Sequence, residues 1–457
     1  MVFSSIPFLY YFLPAVMLVY FLCPRRGGNA VLLAFSLLFY GWSEPRLLLL
    51  MAVTIVSFYL LGLALGRSRR RCFLILGVVL GVGLLGVFKY ADFFIGSVNA
   101  LTGLSLPLLR LALPVGISFY TFQALSYLVD VYRGTVPPQK SLVSFGAYVA
   151  LFPQLIAGPI VRYADVAAAL EHRNSRWEDA AWGIRRFLVG LGKKVILADN
   201  FAMLIRQFRE SGDKSVLFYW LYAAAFMLNL YFDFSGYSDM AIGLGRILGF
   251  SVPENFDYPY LSKSVTEFWR RWHMTLGAWF RDYVYIPLGG NRVKKSRWIG
   301  NILAVWLLTG LWHGAAWNFV LWGLLFAALL LMEKALPGLQ RLPSFLRHAY
   351  VLLAVALSFV LFNAESLQQA ASDYGALFGC SGLPLASGAT WYYLKSNALL
   401  LLAGIAGVTP LPKRIGEWIA GTRAGSACTA AFLTGLLLVC TGYMVDGSYS
   451  PFLYFRF

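Results

Sequence analysis

The chain has 457 residues, 59% hydrophobic and only 13% charged, where soluble proteins run near half apolar and about a quarter charged. With 17% aromatic residues, 14 tryptophans and a mean hydropathy of +0.66, it carries more apolar surface than soluble cores of this size normally bury, which excludes a soluble enzyme, a disordered scaffold and a fibrous protein. The net charge of +17 falls in short clusters between apolar runs (Arg25-Arg26, Arg67 with Arg69 to Arg71, Lys193-Lys194, Lys294-Lys295), a pattern of cytoplasmic loops and not of a nucleic-acid face.

From Met1 to Leu22 the chain lacks a basic n-region and an A-x-A cleavage site, so it reads as a retained first span and not as a signal peptide. Apolar windows near the length that crosses about 30 Å of hydrocarbon fall at residues 7–23, 29–43, 47–66, 72–88, 112–132, 143–160, 183–206, 215–232, 236–250, 298–332, 349–363, 390–409 and 427–445. Several are too short, or too rich in Gly and Pro, to cross unaided. The expected fold is an all-α polytopic membrane protein with about eleven transmembrane helices plus re-entrant and interfacial pieces. Arg25-Arg26 follows the first span and the Arg67 to Arg71 cluster the third, so loops one and three are expected in the cytoplasm and the N-terminus outside. Within 143–160, Phe152-Pro153-Gln154 and Gly158-Pro159 interrupt the apolar run, and a re-entrant segment is expected there. No repeat or composition shift marks a second soluble domain, so residues 1–457 read as a single integral-membrane domain.

Residues able to do chemistry are few. Of four histidines, His172 lies in the polar stretch Glu171-His172-Arg173-Asn174, and His348 follows Arg347 at the edge of an apolar run; both read as solvent-facing or interfacial. Between Asn229 and Asp239 two carboxylates and several hydroxyls sit inside apolar flanks. On a helix Asn229, Asp233 and Tyr237 share one face, and Ser235 and Asp239 another. Charges there must be paired or face water, with Arg246 or Arg270-Arg271 as expected partners; structural pairing and substrate contact both stay open.

From Val265 the large apolar residues Val265, Phe268, Trp269, Trp272, Leu276, Trp279 and Phe280 follow helical spacing, while Thr266, Glu267, Arg270, Arg271 and Arg281 fall elsewhere. His273 lies on the apolar stripe of the predicted amphipathic helix, turned inward; a structural bond to a carbonyl and a catalytic role both fit. Residues 298–332 contain no Asp, Glu, Lys or Arg, and His313 sits near the centre of that stretch, in Gly310-Leu311-Trp312-His313-Gly314. Polar groups in such a stretch are functional by default. As one helix the stretch would run roughly 50 Å, so a break near the glycines is expected. The five cysteines are far apart and read as small buried hydrophobes. Phosphate loops, dinucleotide fingerprints and zinc spacings are absent. What remains is imidazole base chemistry in a membrane, with cations nearby for an anionic ligand.

Phe268-Trp269-Arg270-Arg271-Trp272-His273, the run Trp279-Phe280-Arg281-Asp282-Tyr283 through Pro287-Leu288-Gly289-Gly290-Asn291-Arg292, and Gly310-Leu311-Trp312-His313-Gly314 together resemble the membrane-bound O-acyltransferase family, in particular its bacterial alginate O-acetyltransferase branch. Leu113-Pro114-Val115-Gly116, Phe152-Pro153-Gln154-Leu155, Tyr231-Phe232-Asp233-Phe234-Ser235-Gly236 and the closing Pro451-Phe452-Leu453-Tyr454-Phe455-Arg456-Phe457 share that likeness. The resemblance implies a helical membrane enzyme around a central funnel or tunnel, moving an acyl group from an intracellular donor to an acceptor hydroxyl. His313 matches the family's hallmark histidine, and His273 an upstream position that is Asn, Asp or His across the family.

The expected activity is therefore O-acetylation of an extracytoplasmic polysaccharide, with acetyl-CoA as donor substrate and no bound cofactor or metal. His313 is the expected general base, and His273 the group that orients or polarises the donor carbonyl. Trp269, Trp272, Trp312, Arg270, Arg271, Arg281, Asp282, Asp233, Ser235 and Asp239 complete the candidate substrate-binding set. Arg292, Lys294 and Lys295 are further cations for the donor's phosphates. Expected partners are membrane lipid, acyl-CoA, and the polysaccharide or a secreted or periplasmic acetyltransferase, with no nucleic acid; the expected location is the bacterial cytoplasmic membrane. D-alanyl transfer toward teichoic acid, a transporter of a lipid-linked or anionic solute, and a non-catalytic recruiting subunit are the rivals.

Overall fold

The computed structural model describes residues 2–173 and 176–447; Asn174 and the closing motif Pro451 to Phe457 lie outside the described residues. Every regular element among them is helical, and the chain is an all-α polytopic membrane protein. It divides into two compact units, Met1–Phe187 with Tyr237–Glu254, and Leu188–Gly236 with Asn255–Phe457.

The first unit holds α1 (Leu13–Leu22), α2 (Gly28–Ser43), α3 (Leu48–Ser68), α4 (Arg71–Leu85), α5 (Ala91–Thr102), α6 (Ile117–Arg133), α7 (Leu142–Ala150), α8 (Phe152–Leu155), α9 (Tyr163–Glu171) and most of α10 (Trp177–Gly192). Helix α6 is its buried axis. Gly62 of α3 and Gly77 of α4 leave room for Tyr127 and Leu128 of α6, since a Cβ at either glycine would come within 2.5 Å of those side chains. The broken backbone expected at 143–160 is present. Helix α7 stops at Ala150, Leu151 turns the chain, and the single turn of α8 follows with Pro153 in its first positions. The exposed polar groups of that break are met inside the protein: Phe152 N–H donates to Ser36 Oγ at 3.1 Å and Gln154 Nε2 to the Tyr148 carbonyl at 2.8 Å, as a low-dielectric setting demands.

The second unit begins near the end of α10 and continues through α11 (Asp199–Glu210), the first part of α12 (Val216–Ile247), then α13 (Val265–Arg271), α14 (Met274–Phe280), α15 (Lys295–His313), α16 (Trp317–Ala335) and α17 (Ser344–Asn363), with shorter helices and Gly425–Val445 beyond. Its core is aromatic, with Trp272 packed against Phe268, Phe256 and Phe359 at ring-centroid distances of 5.1–5.5 Å.

Six helices among the described residues are long and apolar enough to cross a membrane, or seven if the bent pair Ala398–Gly407 and Leu411–Ala420 counts as one span. Other expected windows are shorter or subdivided helices, such as α2 and α6. The windows 215–232 and 236–250 are not two spans but one 32-residue helix, α12. Its polar residues do not interrupt it because the carboxylates of Asp233 and Asp239 each meet a cation. Conversely, 298–332 divides as expected, α15 ending at His313 and α16 starting at Trp317.

Candidate active site

His313 is the last residue of α15, 7% exposed. Glycines determine where it sits. A Cβ on Gly310 would lie 2.3 Å from the Phe319 carbonyl oxygen, and one on Gly323 would lie 2.3 Å from that of Trp306. The α15–α16 hairpin can thus close to backbone contact. Gly314, extended at φ −172°, follows His313, and a Cβ there would run into the Phe319 ring at 2.2 Å. The imidazole is boxed by rings set nearly edge-on: Trp312 and Trp322 at 5.0 Å and Phe362 at 5.4 Å. Asn318, at the start of α16, donates to the carbonyls of Phe362 and Ala364 at 3.4 and 2.9 Å, tying the end of α17 to this box.

His273 is buried, as its place on the apolar stripe suggests, but not by one continuous helix. The predicted helix from Val265 breaks after Arg271: Trp272 is extended and His273 left-handed, at φ 46° and ψ 52°, before α14 resumes at Met274. A non-glycine residue in that region costs on the order of 1–3 kcal/mol and persists only where surroundings impose it. Those surroundings are the segment Asn255 to Asp257. Met274 N–H donates to the Asn255 carbonyl at 3.0 Å and Asp257 N–H to the Arg271 carbonyl at 2.9 Å. The Asn255 side-chain oxygen accepts from Thr275 N–H at 3.2 Å and Thr275 Oγ1 at 2.8 Å, and lies 3.1 Å from His273 Nδ1.

Two ring contacts, both through Trp312, bring the histidines into one neighbourhood. His273 lies 4.7 Å from Phe234 and 5.7 Å from Trp312, whose own ring is 5.0 Å from His313. Two imidazoles therefore flank the Trp312 indole. His273 Nε2 is buried with no hydrogen-bond partner among the described residues, and burial pushes the ring's pKa down to about 3, so it is neutral at physiological pH.

The other candidates take different places. Trp269 packs on Trp306 and Phe326 at 4.7 and 4.9 Å, and Trp272 belongs to the aromatic core. Arg270 is exposed; Arg271 pairs with Glu267 and Asp257 at 3.0 and 3.4 Å, and Arg281 with Asp282 at 2.6 Å. Asp233 is bound by Lys194 at 2.8 Å, which also holds Asp199 at 2.7 Å. Within the first unit Asp239 meets Arg186 at 2.7 Å, Arg186 reaches Glu254 at 2.6 Å, and Arg246 pairs with Asp179. The expected partners Arg246 and Arg270-Arg271 are thus corrected to Lys194 and Arg186, cations some 40 to 50 residues upstream that helical spacing on α12 could not indicate. Ser235 is buried, its Oγ with no hydrogen-bond partner among the described residues.

Sequence reasoning missed Asn255 and Glu333. Glu333, buried on α16, accepts from Val265 N–H, from Thr266 N–H at 3.1 Å and from Thr266 Oγ1 at 2.9 Å, placing a carboxylate at the N-terminus of α13 where the helix dipole favours one. A charge in the last turn of an apolar run was its signal. Asn255, in a loop of ordinary composition, offered none.

Residues 137–368 match the membrane-bound O-acyltransferase family, a segment containing both histidines. The chain is 44% identical to the probable alginate O-acetylase of Azotobacter vinelandii over 389 residues, 83% of this chain and 78% of that one. It is 39% identical to the corresponding protein of Pseudomonas putida across the whole of both. A peptidoglycan O-acetyltransferase of Helicobacter pylori is 34% identical over 84% of this chain and 81% of its own length. With its buried histidines inside the matched segment and these relatives over most of its length, the chain belongs to the membrane-bound O-acyltransferase family and is an O-acyltransferase.

Proposed function

We propose that this enzyme moves an acetyl group from cytoplasmic acetyl-CoA, across the bacterial inner membrane, to a hydroxyl of an extracytoplasmic polysaccharide, directly or through a secreted partner protein. The relatives named as alginate and peptidoglycan O-acetyltransferases support acetyl as the group and a polysaccharide as the acceptor. The observation that carries the reading is His313, a buried imidazole ending a helix whose last 16 residues carry no Asp, Glu, Lys or Arg, with a second imidazole beyond one intervening indole. In this scheme a ring nitrogen of His313 takes the acceptor hydroxyl's proton as that oxygen attacks the thioester carbonyl. The carbon–sulfur bond then breaks, and the proton passes to the departing thiolate. Acetyl-CoA is a substrate here, and no step calls on a metal or a bound cofactor. Exposed Arg270, Arg292, Lys294 and Lys295 are suited to its phosphates.

The test is complementation of a strain lacking the gene with wild type or His313→Ala at equal membrane abundance, reading acetate released by alkali from the polysaccharide. Loss of the proton acceptor is expected to cut transfer by about 10²-fold to 10⁴-fold. Normal acetylation in the variant would overturn the assignment.

A further inference from the structure

The Asn255 side chain resolves which nitrogen of His273 carries the proton. Thr275 N–H can only donate, so the Asn255 atom 3.2 Å from it is the carbonyl oxygen and not the amide nitrogen. That same oxygen faces His273 Nδ1 at 3.1 Å. Two acceptors cannot bond, so Nδ1 carries the hydrogen and donates to it. In a neutral imidazole the other nitrogen is then bare. Nε2 is buried and has no hydrogen-bond partner among the described residues, and a buried acceptor left so is destabilising. The backbone strain at φ 46° belongs to the same arrangement, since it is the left-handed turn that lets His273, Met274 and Thr275 all reach Asn255.

We propose that Asn255 is a positioning residue which locks His273 as the Nδ1-protonated tautomer, so that Nε2 presents a lone pair to a hydroxyl of the acceptor and takes no part in polarising the donor carbonyl. This rests on the acyltransferase reading above for its substrate, but not for its tautomer. A ring in this state receives hydrogen bonds at Nε2 and has none to give there, which reverses the role expected for His273 from the sequence. His313 remains the proton acceptor for the reacting hydroxyl, and His273 holds the acceptor.

The tautomer is read directly by ¹⁵N NMR of histidine-labelled protein in lipid nanodiscs at neutral pH. The chain has four histidines, and the His273 signals are those missing from His273→Asn. The expected wild-type ring has a protonated Nδ1 and a bare, deshielded Nε2; a protonated Nε2 would overturn the proposal, whatever the donor or acceptor proves to be. Asn255→Leu is expected to mix the tautomers and to raise KM for the acceptor at least about 10-fold, as when a ring's orienting partner is removed, with KM for acetyl-CoA little changed. Asn255→Asp keeps the accepting oxygen and is expected to fold and turn over. Its carboxylate favours the protonated ring, so the acid limb of its pH–rate profile moves to higher pH. An unmoved limb in Asn255→Asp together with an unchanged acceptor KM in Asn255→Leu would reduce Asn255 to a scaffold residue. A wild-type protein inactive with acetyl-CoA would remove the proposed donor and leave the NMR result standing.

Discussion

The acidic residues of α12 show what a single position can and cannot reveal. From the sequence, Asp233 and Asp239 are charges in an apolar run, and the rule that such charges are paired or functional leaves both readings open. The structure gives each a cation. Lys194 lies between Asp199 and Asp233, its side chain 4% exposed and theirs 10% and 2%. One buried ammonium thus serves two carboxylates. Replacing Lys194 by Met leaves two like charges together in a poorly solvated site, and breaking a buried pair from one side typically costs about 3–5 kcal/mol. Lys194→Met is expected to lower the melting temperature of the detergent-solubilised protein sharply, and Lys194→Met with Asp199→Asn and Asp233→Asn to recover most of the loss. A single variant that melts with wild type would show that the triad does not hold α12 in place. His313 was legible because it is the one titratable side chain in the uncharged stretch 298–332; Asn255 was not, because an asparagine in a loop is unremarkable until its side-chain oxygen is seen to collect three bonds.

At the scale of elements, periodicity found the helices and misplaced some of their ends. The stripe from Val265 to Phe280 is real, yet the helix breaks at Trp272 and His273. The cause is a pairing with residues 255 to 257, which a periodicity taken along 265–280 alone cannot detect. The division of 298–332 was legible because its length exceeded the bilayer and glycines marked the place. Those glycines also yield a matched pair of substitutions on α15. An added methyl at Gly310 meets the Phe319 carbonyl at 2.3 Å, whereas one at Gly300 has nothing within 4 Å. Overpacking typically costs about 1–3 kcal/mol, while alanine for glycine in an open helix position gains about 0.5–1 kcal/mol. Gly310→Ala is expected to lower both melting temperature and transferase activity by prying α15 from α16 one turn before His313. Gly300→Ala is expected to match or exceed wild type in both. Equal behaviour of the two variants would mean that the close hairpin does not position the histidine.

At the scale of the whole molecule the question is direction. Acetyl-CoA carries several negative charges and does not cross hydrocarbon, whereas the proposed acceptor is outside. Helix α15 connects the two requirements: it begins in the exposed stretch containing Arg292, Lys294 and Lys295 and ends at His313, about 27 Å away at 1.5 Å per residue. That is close to the thickness of a bilayer core. Sequence placed His313 in the middle of an uncharged run; the structure puts it at the far end of a helix from the cations. If Arg292, Lys294 and Lys295 are cytoplasmic, as the positive-inside rule requires, a thioester arm extending from phosphates held there must travel most of that distance to reach the imidazole, and the acceptor needs little depth of its own. Transfer is then vectorial. The orientation of sealed vesicles can be fixed in a cysteine-free background with single cysteines replacing exposed Arg46 or Arg69, the first expected outside the cell and the second in the cytoplasm, labelled by an impermeant thiol reagent. In such vesicles acetyl-CoA is expected to support transfer only from the Arg69 side, with acceptor or partner protein required on the Arg46 side. Equal transfer with donor on the Arg46 side, in vesicles shown not to leak, would rule out passage through the membrane while leaving the O-acyltransferase activity itself intact.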